Sequence, residues 1–422
     1  MPPRLSPERL LAAEEGLTTV LSLTEPADNA LHRLFRSSPN LGLQDRAFIA
    51  ETAYTALRYL RRLEIACQDK VTPRRILLAT LMYYEGYSVR ELSSHLHPKE
   101  SAWLENIRGI AFPTDPALSL NLPDWLYAKL AEKFSSHELI ELAHALNSPA
   151  PLDLRTNTLI KHRDDVMLAF QDKSIPVTQT PYAPLGLRLR DKMALMNLDL
   201  FKEGAIEVQD EGSQLICQLM EVRRRERIAD FCAGAGGKSL AMSASMQSRG
   251  QIYAFDVSEK RLAKMGPRLK RSNASNIQPV RITSESDSKL ERYHERMDRV
   301  LVDAPCSGLG TLRRNPELKW RQTPDTVTKL VKLQESILNA AARLVKPGGR
   351  LVYATCSLLD EENINQIDRF LACHPEFKLL PANEILQRQR INLDTGVLLE
   401  LWPHKHGTDA FFAAAMEKIR SG

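Results

Sequence analysis

The sequence lacks the features that would direct it to a membrane, a metal ion or the cell exterior. No run of eighteen apolar residues occurs among its 422 residues, so no transmembrane helix is predicted. Its first residues, MPPRLSPERLLAAEEGL, lack the apolar stretch of a secretory signal. None of the six cysteines forms a CxxC pair or a Cys/His spacing typical of zinc. We therefore expect a cytoplasmic protein with reduced cysteines, no metal site and no membrane partner.

The sequence is mildly basic, and its basic residues occur in clusters. The net charge is +5, and the basic residues cluster, for example in 223–227, 260–271 and 313–321. One such cluster is usually a solvated helix face, but several in one chain favour a polyanionic partner such as a nucleic acid. Within the last cluster, Arg313, Arg314 and Lys319 are either phosphate contacts or part of a solvated loop.

The pattern of apolar residues changes twice along the chain. Residues 1–148 repeat apolar positions at helical spacing, which predicts an all-α bundle. Residues 149–215 start at a proline and alternate like a small α/β module. From residue 216 to residue 422, strands and helices alternate, which predicts a doubly wound parallel sheet with helices on both faces.

A glycine-rich loop, 230–238, closes the first strand of this predicted sheet. Glycines let the backbone turn tightly and approach a ligand closely. Asp256 ends the second strand, where a carboxylate can bind both hydroxyls of a ribose. The pair suits a dinucleotide or S-adenosylmethionine, although Asp256 could instead only cap the next helix. Neither the Walker pattern GxxxxGK nor the dehydrogenase pattern GxGxxG is present.

Two cysteines follow the fourth and fifth predicted strands, Cys306 in 303-DAPCSGLG-310 and Cys356 in 354-ATCS-357. Ligands of open α/β sheets bind outside the carboxyl ends of the strands. We therefore expect both thiols and Asp303 to converge beside the glycine-rich loop. A single cysteine there would most often be structural, whereas two on adjacent strand ends indicate chemistry.

Two thiols and a carboxylate match the methylation of carbon 5 of cytosine. This carbon is a poor nucleophile until a thiolate adds to carbon 6. A carboxylate facing the ring can hold the base and stabilise charge. The second thiolate, or a water that it orders, can assist the elimination that releases the product. The spacing alone leaves open which thiol is the nucleophile.

At these motifs the sequence resembles the RsmB/NOP2/NSUN (Sun) family of RNA 5-cytosine methyltransferases, above all its bacterial ribosomal RNA members. The likeness is carried by DAPCSGLG with TLRRNPELKWR, by KPGGRLVYATCS and by 209-QDEGSQ-214, and it covers roughly 150–418. LGLQDRAFIAETAYTALRYLRR is similar, more loosely, to a NusB-like domain. The resemblance implies a Rossmann-like class I methyltransferase domain at 216–422, a NusB-like RNA-binding bundle at 1–148 and a small α/β RNA-recognition module at 149–215.

The resemblance also implies roles for individual residues. Cys356 corresponds to the nucleophile, Cys306 to the thiol that assists product release, and Asp303 to a contact with both the cytosine and the methyl donor. An acidic contact to adenine is expected after the third strand, where Glu285 and Asp287 both qualify. The expected S-adenosylmethionine contacts are Cys232, Ala233, Gly234, Ala235, Gly236, Gly237, Lys238, Asp256 and Asp303.

The expected activity is therefore S-adenosylmethionine-dependent methylation of carbon 5 of a cytosine in RNA. The resemblance favours 16S ribosomal RNA as the substrate, with transfer RNA as a second substrate class. Amine methylation is disfavoured because DAPC lacks the Pro-Pro-aromatic motif of those enzymes. The alternative from another class is a non-catalytic RNA-binding factor for ribosome assembly. The sequence leaves the oligomeric state open.

Overall fold

The computed structural model describes residues 5–68, 70–191 and 193–420, and the chain divides into two compact units. The first unit combines Met1–Pro149 with Thr311–Pro324, and the second combines Ala150–Gly310 with Asp325–Gly422. Residues 1–4 and 421–422, where the predicted first and last domains begin and end, lie outside the described residues. The division into three domains remains a prediction.

Among its described residues, the regular secondary structure of the first unit is all helical. Its first helix begins after Ser6, whose side chain accepts a hydrogen bond from the Arg9 amide, and proline suits the first turn. Leu17, Leu57 and Leu77 are fully buried in its core. Up to Pro149 the helices are α1 (Pro7–Leu21), α2 (Ala27–Ser37), α3 (Leu43–Arg58), α4 (Leu60–Cys67), α5 (Pro73–Tyr83), α6 (Val89–Leu92), α7 (Pro98–Ile107), α8 (Pro116–Ser119), α9 (Asp124–Ala131) and α10 (Ser136–Asn147).

The second unit opens with a small antiparallel sheet. Its elements are β1 (Leu152–Thr156), α11 (Arg163–Asp172), β2 (Val177–Gln179), β3 (Gly186–Leu189), α12 (Asp199–Lys202) and β4 (Ile206–Val208). The strand order is β2-β3-β1-β4. Leu154, Phe170 and Leu187 form the centre of its core, so α11 packs on one face of the sheet.

A larger sheet follows, in which strands and helices alternate as predicted. Its strand order is β10-β12-β9-β8-β5-β6-β7, and β11 pairs with β12. Along the chain the elements after β4 are α13 (Glu211–Leu219), β5 (Arg227–Asp230), α14 (Gly237–Ser245), β6 (Gln251–Asp256), α15 (Glu259–Ser272), β7 (Ile277–Arg281), β8 (Met297–Asp303), α16 (Leu318–Arg321), α17 (Pro324–Ala342), β9 (Val345–Thr355), α18 (Ile364–Cys373), β10 (Phe377–Leu380), α19 (Ala382–Arg388), β11 (Leu399–Leu401), α20 (Pro403–His406) and β12 (Phe411–Lys418).

This sheet is mixed rather than wholly parallel. Strands β5 to β9 run parallel, whereas β12 pairs antiparallel with β9, β10 and β11. Successive strand residues such as Ile228 and Ala229 belong to separate buried clusters, because side chains of a strand point alternately to the two faces. The predicted Rossmann-like, doubly wound fold is confirmed. The parallel strands bring the carboxyl ends of β5, β6, β8 and β9 to one edge.

Within the described ranges, no helix is both long and apolar enough to cross a membrane. In the same ranges, His, Cys, Asp and Glu side chains do not gather in any group of three that could hold a metal ion.

Candidate active site

The glycine-rich loop between β5 and α14 lies against the end of β6. Gly234 and Gly236 have φ angles of +56° and +82°, a backbone region that favours glycine. A Cβ atom on Gly236 would come within 2.8 Å of the Met265 side chain. The Gly234 amide donates a hydrogen bond of 2.8 Å to the Asp256 carboxylate. The turn therefore needs glycine at Gly236 and is tied to the last residue of β6.

A cavity of about 650 Å³ opens beside this loop at the carboxyl edge of the sheet. Its volume lies in the range of sites for small organic ligands. Most of the residues expected to bind the cofactor or the reacting base line it. They are Cys232, Ala233, Gly234, Ala235, Asp256, Asp303, Cys306 and Cys356.

Three of the expected cofactor contacts are not among the lining residues. Gly236 is the N-cap of α14 and Gly237 is its first residue, so both shape the turn without lining the cavity. Lys238 instead forms an ion pair of 2.6 Å with Asp303. Burial alone would lower the pKa of Lys238, but the Asp303 charge raises it above its usual value. A charged ammonium group therefore holds the Asp303 carboxylate at the cavity wall.

Sequence reasoning missed the apolar and basic part of the lining. Nothing in the sequence separates these side chains from ordinary core or surface residues, because apolar residues on strands and helices usually mark a core. The missed residues are Phe231, Val257, Arg261, Lys264, Ile282, Ala304, Pro305, Leu333 and Ile337.

The two acids after β7 differ in position. Glu285 lines the cavity. The Asp287 carboxylate instead accepts backbone hydrogen bonds from Thr283 at 2.7 Å and Lys289 at 2.9 Å, and these bonds lower its pKa. Of these two acids, Glu285 is therefore the one at this cavity, and its Oε1 also accepts a hydrogen bond from Ser336 Oγ at 2.8 Å.

The chemistry of the lining fits S-adenosylmethionine. The Asp256 oxygens accept one backbone hydrogen bond each, from Gly234 at 2.8 Å and Ser258 at 2.7 Å. A carboxylate has about four acceptor positions, so capacity remains for the two hydroxyls of a ribose. Val257 and Ile282 supply apolar surface suited to a purine.

The two cysteines lie together at adjacent strand ends. Strands β8 and β9 are parallel neighbours, with Asp303 opposite Ala354. The sulfur atoms of Cys306 and Cys356 are 3.4 Å apart. The hydrogen bond with Cys356, together with burial, raises the pKa of the Cys306 thiol well above its usual value. Burial and the neighbouring sulfur therefore both disfavour ionisation of Cys306.

The basic loop that follows Cys306 belongs to the helical unit. Lys319 is 1% exposed, and its ammonium donates to the Arg58 carbonyl at 2.8 Å, the Asn121 carbonyl at 3.0 Å and Asn147 Oδ1 at 2.9 Å. All three of its donors are satisfied inside the protein. Both interpretations of Lys319, as a phosphate contact and as part of a solvated loop, are therefore wrong. Arg313 is also buried.

Comparisons with known proteins agree with this architecture. The family described as "16S rRNA methyltransferase RsmB/F" matches residues 217–417, and a family described as "Methyltr_RsmF/B-like, ferredoxin-like domain" matches residues 122–196. A protein of Synechocystis sp. named probable ribosomal RNA small subunit methyltransferase B is 38% identical over 71% of this chain and 67% of its own length. Ribosomal RNA small subunit methyltransferase B of Photorhabdus laumondii is 32% identical over 90% of this chain and 92% of its own. The crystal structure of PH0851 matches with a TM-score of 0.82 and 25% identity, covering 99% of this chain and 100% of PH0851.

Proposed function

Because this chain belongs to the 16S rRNA methyltransferase RsmB/F family, we propose that it methylates carbon 5 of a cytosine in 16S ribosomal RNA through a covalent adduct. At the coarser level, the chain is an S-adenosylmethionine-dependent methyltransferase of small-subunit ribosomal RNA. The finer proposal depends above all on the 3.4 Å approach of the Cys306 and Cys356 sulfur atoms in the cavity wall.

In the proposed reaction, Cys356 adds as a thiolate to carbon 6 of the cytosine, and the displaced electron pair makes carbon 5 nucleophilic. S-adenosylmethionine supplies an electrophilic methyl group for carbon 5. Carbon 5 then loses its proton to water, the ring double bond re-forms, and the bond from carbon 6 to sulfur breaks. The electron pair of that bond leaves with Cys356. The protonated Cys306 thiol donates a hydrogen bond to this departing sulfur, which favours its release as a thiolate.

The remaining residues bind and orient. We assign Asp256 to the ribose of the cofactor and Glu285 to its adenine, since both acids line the cavity. Asp303 would accept hydrogen bonds from the cytosine and hold its ring in place while charge develops. The ion pair with Lys238 supports this assignment because it fixes the orientation of the Asp303 carboxylate. A cytosine in RNA must leave its base stack to reach these groups.

The test compares methyl transfer from labelled S-adenosylmethionine to unmethylated 16S ribosomal RNA and to transfer RNA. We expect the wild-type protein to form 5-methylcytosine in 16S ribosomal RNA. Cys356→Ala should lose roughly 10³-fold or more in rate, because the adduct cannot form. Cys306→Ala should accumulate a covalent protein–RNA complex, since the departing sulfur loses its hydrogen-bond donor. The matched control is Cys373→Ala, which changes an exposed cysteine on α18.

Two outcomes would contradict the proposal. Methylation of an amine, or full activity of Cys356→Ala, would mean that the strand-end cysteines are structural. Ribosome assembly that depends on the protein but tolerates Cys356→Ala would instead favour the non-catalytic assembly factor.

A further inference from the structure

The two cysteine loops are joined by a buried carboxylate that lies outside the cavity lining. Glu362 has no solvent exposure. Its Oε1 accepts hydrogen bonds from the Ser307 amide at 2.8 Å and from Gln334 Nε2 at 2.9 Å. Its Oε2 accepts from Ser307 Oγ at 2.6 Å and from Ser357 Oγ. These serines directly follow Cys306 and Cys356, so one carboxylate connects both thiol-bearing turns.

The residues that precede the cysteines are also held by hydrogen bonds, from Gln334 and to Asn363. Gln334 Nε2 also donates to the Pro305 carbonyl at 3.0 Å. Thr355 Oγ1 donates to Asn363 Oδ1 at 2.5 Å, and Asn363 Nδ2 donates to the Ser357 carbonyl at 3.1 Å. Both turns are therefore fixed on each side of their cysteine by polar side chains from α17 and from the segment that leads into α18.

Burying a carboxylate is costly unless hydrogen bonds replace its water. Glu362 meets this requirement with four donors that come from three separate segments. Shared hydrogen bonds of this kind fix geometry, because moving either turn would leave a buried acceptor unpaired. The hydrogen bonds to Glu362 therefore fix the distance between the Cys306 and Cys356 sulfur atoms.

The Glu362 carboxylate also affects the Cys306 thiol electrostatically. Besides the hydrogen bond with Cys356 and burial, the charges of Cys356 and Glu362 raise the pKa of Cys306, and a hydrogen bond with the Gly308 backbone lowers it. The Glu362 carboxylate, which holds the turn after Cys306 through Ser307, therefore disfavours ionisation of the Cys306 thiol.

We propose that Glu362 is a positioning residue that sets the spacing of the two thiols and makes them unequal, so that Cys356 is the nucleophile and Cys306 its proton-bearing partner. This inference rests on the proposed function and extends it to a residue that touches neither cofactor nor base.

The first test measures thiol reactivity without RNA or cofactor. Full-length protein is alkylated with a limiting amount of iodoacetamide between pH 6 and pH 9, and the Cys306 and Cys356 peptides are quantified by mass spectrometry. In the wild type, Cys356 should react at least about tenfold faster than Cys306 at neutral pH. In Glu362→Gln this ratio should fall to about threefold or less, because the negative charge beside Cys306 is lost. Glu335→Gln is the matched control, since it makes the same change on the exposed face of α17.

The second test measures methyl transfer. We expect Glu362→Gln to lower kcat about 100-fold while the KM for S-adenosylmethionine stays within about twofold, as for an error in positioning the nucleophile. Ser357→Ala removes one hydrogen bond to Glu362 and keeps the Glu362 charge. This variant therefore tests the role of Glu362 even if Glu362→Gln does not fold. For Ser357→Ala we expect kcat to fall about tenfold and the alkylation ratio to decrease less than in Glu362→Gln.

The two tests separate this inference from the proposed function. If the wild type forms no 5-methylcytosine, the proposed function fails, whereas the alkylation ratio still reports how Glu362 affects the thiols. If the wild type forms 5-methylcytosine and Glu362→Gln keeps both the wild-type alkylation ratio and the wild-type kcat, the inference about Glu362 is overturned. Wild-type behaviour of Ser357→Ala in both tests would overturn it as well.

Discussion

At the scale of single residues, Asp230 shows how burial changes the charge of a group beside the site. It ends β5 and is 1% exposed. One carboxyl oxygen accepts a hydrogen bond from Ser239 at 2.6 Å, and the other has no hydrogen-bond partner among the described residues. Burial raises the pKa of Asp230 to about 7, against the smaller, opposite effect of the Ser239 bond. Protonated Asp230 therefore predominates in the folded protein below neutral pH.

The raised pKa of Asp230 predicts that the effect of Asp230→Asn on the free energy of unfolding depends on pH. The pKa of Asp230 in the folded state lies above the unfolded value of about 3.9. Its contribution to the free energy of unfolding is therefore fully present below about pH 4 and is lost as the pH rises through 7. Asparagine has no such dependence. Between pH 5 and pH 8, the free energy of unfolding of Asp230→Asn should therefore rise relative to the wild type by roughly 2 kcal/mol. Denaturant unfolding at both pH values measures it.

The control for this prediction is Asp394→Asn, which removes an exposed carboxylate from the same unit. Its difference from the wild type should not change with pH. If Asp230→Asn also showed a constant difference, Asp230 would be ionised throughout this range.

At the scale of elements, the small sheet supports the cofactor loop. Arg268 on α15 donates to the Ala235 carbonyl at 2.8 Å and to Glu207 on β4 at 2.8 Å. Arg155 on β1 donates to the Gly237 carbonyl at 2.9 Å. These arginines satisfy loop carbonyls without being among the residues that line the cavity. The small sheet therefore contributes to the cofactor site without lining it.

We expect Arg268→Met to weaken S-adenosylmethionine binding about tenfold, because the Ala235 carbonyl loses its donor and the loop loses a support worth about 1.4 kcal/mol. At saturating cofactor, kcat should change little, since the side chain of Arg268 donates to Ala235 and Glu207 and not to the cysteine loops. Calorimetric titration gives the affinity. Lys270→Met, on the exposed side of α15, should bind like the wild type. Equal affinities of Arg268→Met and the wild type would show that the loop keeps its shape unaided.

At the scale of the whole molecule, the helical unit is built from two distant parts of the chain. Its second part, 311–324, begins just after the Cys306 motif. Within the unit, Trp320 donates to the Leu57 carbonyl at 2.7 Å, and Lys319 reaches three oxygen atoms near the ends of α3, α8 and α10. The later segment thus packs Trp320 against the core of the helical unit and satisfies buried acceptors there.

Lys319→Met tests this arrangement. Methionine retains most of the volume but leaves three buried oxygen acceptors without their donor. We expect the free energy of unfolding of the helical unit to fall by about 2–3 kcal/mol. Hydrogen exchange should therefore speed up in helices α3 to α10 and remain unchanged in β5 to β9. Lys99→Met, which changes an exposed lysine of the same unit, should leave exchange unaltered. Unchanged exchange in Lys319→Met would mean that the segment is not needed for this core.

The pattern of apolar residues along the chain is enough to predict the type of fold and the proximity of the two thiols. Alternating apolar strands and helices specify a doubly wound sheet, and parallel strands place their carboxyl ends at one edge. It follows that residues directly after neighbouring strands, such as Asp256, Cys306 and Cys356, lie near one cavity. Glycine-specific backbone angles at Gly234 and Gly236 follow from the same local rules.

The partners and the burial of side chains that are distant in the chain could not be predicted in the same way. A lysine in a basic loop and a glutamate in an acidic run both appear solvated in the sequence, yet Lys319 and Glu362 are buried. Their partners lie as far away in the chain as Arg58 and Ser307. The local sequence does not predict such contacts, because burial and hydrogen bonding depend on which segments the completed fold brings together.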